Sequence, residues 1–249
     1  MDETQSKKRM LKVVAVADTH APEQDVMALN CACNYISYYQ PDKIIHLGDA
    51  GDFKSVSHWI QNKRLLTEGL RVNDDIKNAV DVLNVIKSAA PSAELVLTMG
   101  NHDDWCNKYI EEHSEIEGLL DIEEEYKRAG WQVIKINKPY QVGKLVFGHG
   151  WFVGKYHANS TIHAFSKSVI YGHTHTFQAH TESFLDGEKM AMSIGCLCDM
   201  NPHYLRNRPN RWVHGFATID IDIATGEFFI DFIKIIKGRF SRNGIIYKG

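Results

Sequence analysis

Residues 11–20 read LKVVAVADTH, an apolar run that ends in an aspartate and a histidine two positions apart. The apolar part is typical of a buried β-strand, and the small and polar residues after it favour a loop. The same arrangement of an apolar run and a polar loop recurs four times, in DKIIHLGDAGD (42–52), ELVLTMGNHDD (94–104), KLVFGHG (144–150) and SVIYGHTH (168–175). In α/β sheets, ligands bind beyond the carboxyl ends of the strands. The five loops are therefore predicted to meet at one edge.

Helical and strand patterns alternate through most of the chain. A helix is predicted over residues 71–90, because this range carries an apolar stripe of helical period. A second helix is predicted over residues 23–39, and one or two short exposed helices over residues 107–130. Residues 216–238 alternate in polarity around a turn at 224–226, which predicts a hairpin. The chain is therefore predicted to be α/β with mixed sheets, in a single domain over residues 1–249.

Bulk composition excludes several classes of protein. The chain has 249 residues, 44% of them hydrophobic, and a net charge of −3, so no overall basic field points to a polyanion. No apolar run approaches the length of a membrane span, so no membrane partner is expected. Five cysteines include the pairs Cys31/Cys33 and Cys196/Cys198. They indicate reduced thiols in a cytoplasmic protein, with a structural metal shared by the two pairs as the alternative.

The polar side chains of the five loops are of one chemical kind. Imidazoles and carboxylates together favour manganese, iron, nickel or zinc over calcium or magnesium alone. Apart from His102, the donors are four histidines, two aspartates and one asparagine: Asp18, His20, Asp49, Asn101, His149, His173 and His175. Seven donors are too many for one tetrahedral zinc ion. They suit two ions that share one donor, and a carboxylate is the best bridge.

These residues form five motifs in a fixed order. The motifs are Asp18-x-His20, Gly48-Asp49-x-x-Asp52, Gly100-Asn101-His102-Asp103, Gly148-His149 and Gly172-His173-x-His175. Together they resemble the five motifs of the calcineurin-like metallophosphoesterase superfamily. The resemblance covers roughly residues 13–176 and implies that family's fold, two packed mixed β-sheets flanked by helices in four layers.

The resemblance also implies a role for each residue. One metal would be held by Asp18, His20, Asp49 and His175. The second would be held by Asp49, Asn101, His149 and His173, so that Asp49 bridges the two. The implied catalytic residues are His102, which would donate a proton to the leaving oxygen, and Asp103, which would orient His102. Asp52 would support the metal loop.

The implied activity is a phosphoester hydrolase that uses two divalent transition-metal ions, with manganese first and nickel, iron or zinc as alternatives. A hydroxide between the metals would attack phosphorus. Protein phosphatases of the superfamily usually carry an arginine and a glutamate where this chain has Phe53 and Asp103. The sequence therefore favours a phosphodiesterase, closer to the superfamily's phosphodiesterases and Mre11/SbcD-like nucleases, with a nucleotide or nucleic acid as a candidate substrate.

Three alternatives stay open: a nuclease acting on nucleic-acid ends, a phosphomonoesterase and a non-catalytic scaffold of the same fold. The stretch RNRPNRW (206–212) combines three arginines with a tryptophan and could contact phosphates and bases, or could be a solvated loop. Trp105 and Trp151 flank the predicted site and could stack on a base or simply pack at its rim.

Overall fold

The computed structural model describes residues 10–249, and β-strands account for much of that range. The strands are β1 (Met10–Val16), β2 (Lys43–His46), β3 (Glu94–Thr98), β4 (Gln132–Ile134), β5 (Tyr140–Val142), β6 (Leu145–Gly148), β7 (Ser168–Tyr171), β8 (Phe177–Phe184), β9 (Gly187–Ile194), β10 (His214–Asp222), β11 (Phe228–Ile235), β12 (Arg239–Arg242) and β13 (Ile245–Lys248). The α-helices are α1 (Val26–Tyr39), α2 (Arg64–Thr67), α3 (Val72–Ala89), α4 (Trp105–Glu112), α5 (Ile122–Arg128) and α6 (His157–Phe165).

The first sheet has six strands in the order β11-β10-β1-β2-β3-β4. Strands β1 to β4 are parallel, and helices connect them, as parallel neighbours require. Strand β10 pairs antiparallel with β1, with Ala15 opposite Ala217, and β11 returns antiparallel beside β10. The predicted hairpin therefore exists, and its attachment to β1 makes the sheet mixed.

The second sheet has five strands in the order β5-β6-β7-β9-β8. Strands β6, β7 and β9 are parallel, and β5 and β8 are antiparallel edges. Strands β6 and β7 are predicted from the sequence, whereas the β8–β9 hairpin is not. Strand β8 alternates between exposed and half-buried residues along its length, so it lacks the apolar run that marks the other strands.

The two sheets pack face to face through one apolar layer. Val13, Ile45 and Val96 of the first sheet contact Phe147 and Ile170 of the second in this layer, and all five are buried. Side chains alternate across a strand, so the intervening residues point the other way.

Those intervening side chains complete two outer layers. The far face of the first sheet packs against α1, α3 and α5, and the far face of the second packs against α6. The architecture is therefore two mixed sheets flanked by helices in four layers, and the predicted fold class is confirmed.

The predicted helices also form. The first begins at Val26. Asp25 is its N-cap residue, because the Asp25 side chain accepts a hydrogen bond from the Ala28 amide. The predicted helical range 107–130 holds α5 and most of α4, which begins at Trp105. Of the two, α5 is not merely an exposed helix. Its Ile122 and Tyr126 side chains are buried against the core.

No helix within residues 10–249 has both the length and the hydropathy needed to cross a bilayer. All five cysteines are free and buried. Cys31 and Cys33 lie on α1, whereas Cys196 and Cys198 follow β9.

The apolar layers predict which side-chain truncations lower the free energy of unfolding. Ile44 on β2 is fully buried, whereas Ile246 on β13 is 60% exposed. Ile44→Ala should lower the free energy of unfolding by about 2–5 kcal/mol, because it removes buried methyl groups and leaves a cavity. Ile246→Ala, the matched control, should cost less than about 1 kcal/mol. Urea unfolding of both variants measures the difference, and equal costs would contradict the layer assignment.

Candidate metal centre

Five loops, each at the carboxyl end of a strand, bring the predicted donors together. The loops follow β1, β2 and β3 of the first sheet and β6 and β7 of the second. Because the strands are parallel within each sheet and the sheets are packed together, these ends face one pocket. The structure brings all seven predicted donors into it: Asp18, His20, Asp49, Asn101, His149, His173 and His175.

One half of the pocket gathers two carboxylates and two imidazoles. A carboxylate oxygen of Asp18, one of Asp49 and a ring nitrogen of His20 lie within 4.8 Å of one another. His175 joins them, with its Nε2 3.0 Å from Nε2 of His20 and 3.4 Å from Oδ1 of Asp18. Four donors thus point at one small volume.

The other half is built around the same Asp49 carboxylate. Ligand atoms of Asp49, His149 and His173 lie within 4.8 Å of one another. Nε2 of His149 is 3.2 Å from Oδ2 of Asp49 and 3.0 Å from the side-chain oxygen of Asn101. Asp49 is therefore the one residue common to both halves.

The backbone at the donors is strained. Five donors adopt the left-handed region, with φ between 49° and 69°: Asp18, His20, Asp49, His173 and His175. A non-glycine residue in such a conformation costs about 1–3 kcal/mol. Strain of this kind persists only where surrounding structure imposes it, and it clusters at functional sites.

Two glycines allow the loops to approach closely. A Cβ on Gly100 would lie 2.1 Å from Oδ1 of Asp49, and one on Gly172 would lie 2.6 Å from Oδ2 of Asp18. Neither distance is possible for real atoms. The glycines that open the third and fifth motifs therefore leave room for the two carboxylates.

The charges in the pocket oppose one another at short range. Burial alone would raise the pKa of Asp49, but the neighbouring histidines outweigh it and hold that pKa well below its usual value. Burial would lower the pKa of His149, but Asp49 and Asp18 raise it to about 9. Burial, reinforced by His149, lowers the pKa of His173 to about 4. The pocket therefore contains a neutral imidazole ready to act as a ligand.

The donor set fits divalent transition metals. Four imidazoles, two carboxylates and an amide oxygen are nitrogen and oxygen ligands of the kind that manganese, iron, nickel and zinc accept. The two groups that share Asp49 each contain a carboxylate and at least two further donors. These Asp/His clusters could hold metal ions of this kind.

His102 lies beside this pocket with its ring held from two sides. Nδ1 of His102 is 2.9 Å from the Asp52 carbonyl and 3.2 Å from its carboxylate, and Trp105 stacks on the ring at 3.8 Å between centroids. Nε2 has no hydrogen-bond partner within residues 10–249. Burial would lower the pKa of His102, but the charges of Asp49 and Asp52 raise it to about 9.

Asp103 occupies a different position from the one the resemblance implied. Its side chain is fully buried and accepts hydrogen bonds from the amides of Asp49 (2.9 Å) and Gly100 (2.8 Å) and from the Tyr126 hydroxyl (2.7 Å). It thereby joins the second and third loops to α5. The carboxylate that contacts the His102 ring belongs to Asp52, so Asp52 has the orienting geometry expected of Asp103.

Two side chains beyond the motifs also reach the pocket. Cys198 has its sulfur 3.7 Å from Nδ1 of His175 and lies within 4.8 Å of ligand atoms of His20 and His175. The Trp212 ring meets the His175 ring edge-on at 4.3 Å. From the sequence, Cys198 is notable only as half of a CxC pair, because the five motifs end at residue 176.

Trp151 and His46 have structural roles. Trp151 packs against Phe165 at 4.4 Å, and its ring covers Gly148. His46 is fully buried and hydrogen-bonds Thr19 and the Gly48 amide, and burial lowers its pKa to about 4. Trp105, as described above, stacks on His102.

The sequence model of the calcineurin-like phosphoesterase family matches residues 11–177, about two thirds of the chain. The matched range contains every loop described above. The chain therefore belongs to the calcineurin-like phosphoesterase family, and the predicted family resemblance is confirmed.

Similar proteins span almost the whole chain. The Gene 54 proteins of Mycobacterium phages D29 and L5 are 26% and 25% identical to it, over 95% of this chain and 98% of each relative. Among solved structures, vacuolar protein sorting 29 from Cryptosporidium parvum has a TM-score of 0.49 at 10% identity, covering 96% of both chains. The E. coli phosphoesterase Yfce has a TM-score of 0.44 at 16% identity, covering 90% of this chain and all of its own.

The close approach at Gly100 gives a direct test of the pocket. Gly100→Ala should lower the free energy of unfolding by about 1–3 kcal/mol, because the added methyl group must push the Asp49 loop aside. It should also reduce the manganese retained after gel filtration. Gly154→Ala is the matched control, since no atom lies within 4 Å of its added Cβ. Urea unfolding and elemental analysis measure both effects, and a Gly100→Ala protein with native stability and metal content would contradict the geometry.

Proposed function

We propose that this chain is a dinuclear metal-dependent phosphodiesterase of the calcineurin-like family. The observation that carries the proposal is the meeting of seven nitrogen and oxygen donors around one shared carboxylate, Asp49, with His102 beside them. Asp18, His20, Asp49 and His175 would hold one cation. Asp49, Asn101, His149 and His173 would hold the other. Manganese is the preferred cation of the proposal, with nickel, iron and zinc as alternatives.

When bound, a pair of divalent cations supplies a water of lowered pKa as the nucleophile and offsets negative charge on the phosphoryl oxygens. The protein's own contribution is the proton for the leaving group. Asp52 holds Nδ1 of His102, and this leaves Nε2 to donate a proton to the departing oxygen. The side chain of His102 is 18% exposed, enough to touch a substrate, whereas that of Asp103 is fully buried.

Asp103 takes a structural part in the proposal. It accepts hydrogen bonds from the backbone amides of Asp49 and Gly100, and its hydrogen bond with Tyr126 anchors the loops after β2 and β3 to the core. Trp105 covers one face of His102 and keeps its ring in place. The acid is thus positioned by Asp52 and Trp105, and the metal loop by Asp103.

The proposal extends to the setting of the enzyme. The apolar layer shared by both sheets supports one domain for the whole chain. Five free, buried cysteines favour a reducing compartment such as the cytoplasm.

Hydrolysis of bis-p-nitrophenyl phosphate in the presence of Mn²⁺ tests the activity, and comparison with p-nitrophenyl phosphate tests the diester preference. No turnover of either ester would favour a scaffold.

Replacement of the proposed acid should separate catalysis from metal binding. His102→Ala should lower kcat about 10²–10⁴-fold on alkyl phosphodiesters, whose leaving groups need a proton, and much less on p-nitrophenyl esters. Its metal content should equal that of the wild type. His163→Ala, an exposed histidine on α6, is the control and should behave as the wild type. Wild-type turnover of alkyl esters by His102→Ala would refute the acid assignment.

Replacement of the shared carboxylate should empty both sites. Asp49→Ala should bind fewer than one manganese ion per chain, because each group of donors loses a member and the bridge is gone. Asp81→Ala, an exposed aspartate on α3, should keep the wild-type content. Elemental analysis after dialysis measures the number of manganese ions per chain. Two ions per chain in Asp49→Ala would show that Asp49 bridges nothing.

A further inference from the structure

The connection between β9 and β10 carries three exposed arginines. We define residues 199–212 as the arginine loop. Its Arg206, Arg208 and Arg211 are exposed, and their side chains make no ion pair or hydrogen bond within the described part of the chain, residues 10–249. Arg128 and Arg242, by contrast, each pair with a carboxylate.

The arginine loop has a defined shape of its own. Asn201 donates a hydrogen bond to the side-chain oxygen of Asn207 at 2.7 Å. Asn210 donates to the Met200 carbonyl at 2.8 Å and accepts from the Trp212 amide at 2.9 Å. Asn207 adopts a left-handed backbone with φ 59°. Hydrogen bonds from side-chain amides thus hold the loop in this conformation.

The loop is attached to the proposed metal centre. The Val213 amide donates to the His175 carbonyl at 2.8 Å, directly after the loop ends. Trp212 contacts the His175 ring, and Trp212 and Tyr204 line the same cavity as His20. Tyr204 and Trp212 of the arginine loop therefore form part of a wall of the proposed active site, and the three arginines lie between these two residues in the sequence.

A second aromatic surface adjoins the proposed acid. The His58 ring lies 6.2 Å from that of Trp105, which stacks on His102. Trp59 is 68% exposed and lies 4.6 Å from His58. Exposed aromatic rings next to a phosphoester site are suited to stack on bases.

The chemistry selects a ligand with several phosphates. Guanidinium groups bind phosphate oxygens in a bidentate manner, and three of them exceed what one scissile diester needs. The arginine loop is positively charged although the whole chain has a net charge of −3, so the positive charge is local to the loop. Aromatic faces beside basic groups are the combination that binds single-stranded nucleic acid.

We infer that the arginine loop binds the phosphates that flank the scissile one in a single-stranded nucleic acid, so that oligonucleotides are preferred over small diesters. This inference rests on the proposed phosphodiesterase activity. It assigns substrate selection to a segment outside the five motifs, with Arg206, Arg208 and Arg211 as the phosphate contacts and Trp212 and Tyr204 as stacking surfaces.

The test measures kcat/KM on three substrates: a 12-nucleotide single-stranded DNA, the matching RNA and bis-p-nitrophenyl phosphate. Each is assayed with Mn²⁺ across a series of salt concentrations. The combined Arg206→Gln, Arg208→Gln and Arg211→Gln variant should lose at least tenfold in kcat/KM on the oligonucleotides, chiefly through KM. The slope of log kcat/KM against log salt should become shallower by about 2, because three phosphate contacts are lost at about 0.7 each. Lysines at the same three positions should keep most of that slope.

The matched control removes three positive charges elsewhere: Lys127→Gln, Arg128→Gln and Lys135→Gln, whose side chains pair with glutamates at the far edge of the first sheet. It should stay within twofold of the wild type on every substrate. An equal loss in this control, or an unchanged salt slope in the arginine variant, overturns the inference.

The outcomes for the wild type separate the two proposals. A wild type that cleaves bis-p-nitrophenyl phosphate but shows no preference for oligonucleotides overturns the inference alone. A preference for duplex over single-stranded DNA also overturns it. A wild type that cleaves no diester in the presence of Mn²⁺ overturns the proposed function.

Discussion

The structure depends on a carboxylate buried where the two sheets meet. Asp49 is 1% exposed, and its oxygens face the His102 amide at 2.8 Å, His149 at 3.2 Å and His20 at 3.6 Å. An unpaired carboxylate in such a place would be very costly. Its partners lie on loops that follow strands of both sheets. The charge balance of the pocket therefore depends on the packing of the two sheets against each other. Strained backbone at the donors, and a glycine at residue 100 where no Cβ fits, are consequences of that convergence.

Much of this could be predicted from the sequence, for a definite reason. A buried parallel strand must be nearly all apolar, and its loop must return to polar residues. The composition therefore changes abruptly after Ala17, Leu47 and Met99, each one residue beyond the end of its strand. Parallel topology then places the carboxyl ends of such strands on one edge. The seven donors follow from this rule and the family pattern. The β10–β11 hairpin was equally visible from its alternation.

The remainder depends on contacts that sequence spacing does not encode. Asp103 follows His102 directly, yet neighbouring side chains on a turn diverge, and the carboxylate that meets the His102 ring is Asp52, fifty positions earlier. Cys198 reaches His175 only because β9 ends beside β7. The half-exposed β8 strand gave no apolar signal. The basic stretch at 206–211 could be read as solvated or as functional, and only its attachment to His175 through Trp212 favours the second.

We propose that one pocket, built around Asp49, holds a pair of cations. Anomalous diffraction from crystals of the manganese-loaded protein, recorded at the manganese absorption edge, tests it most directly. Two peaks are expected, one on either side of the Asp49 carboxylate: the first bounded by Asp18 and His175 and the second by Asn101 and His173. A single peak that Asp49 does not touch, or no peak in the pocket at saturating manganese, would contradict it.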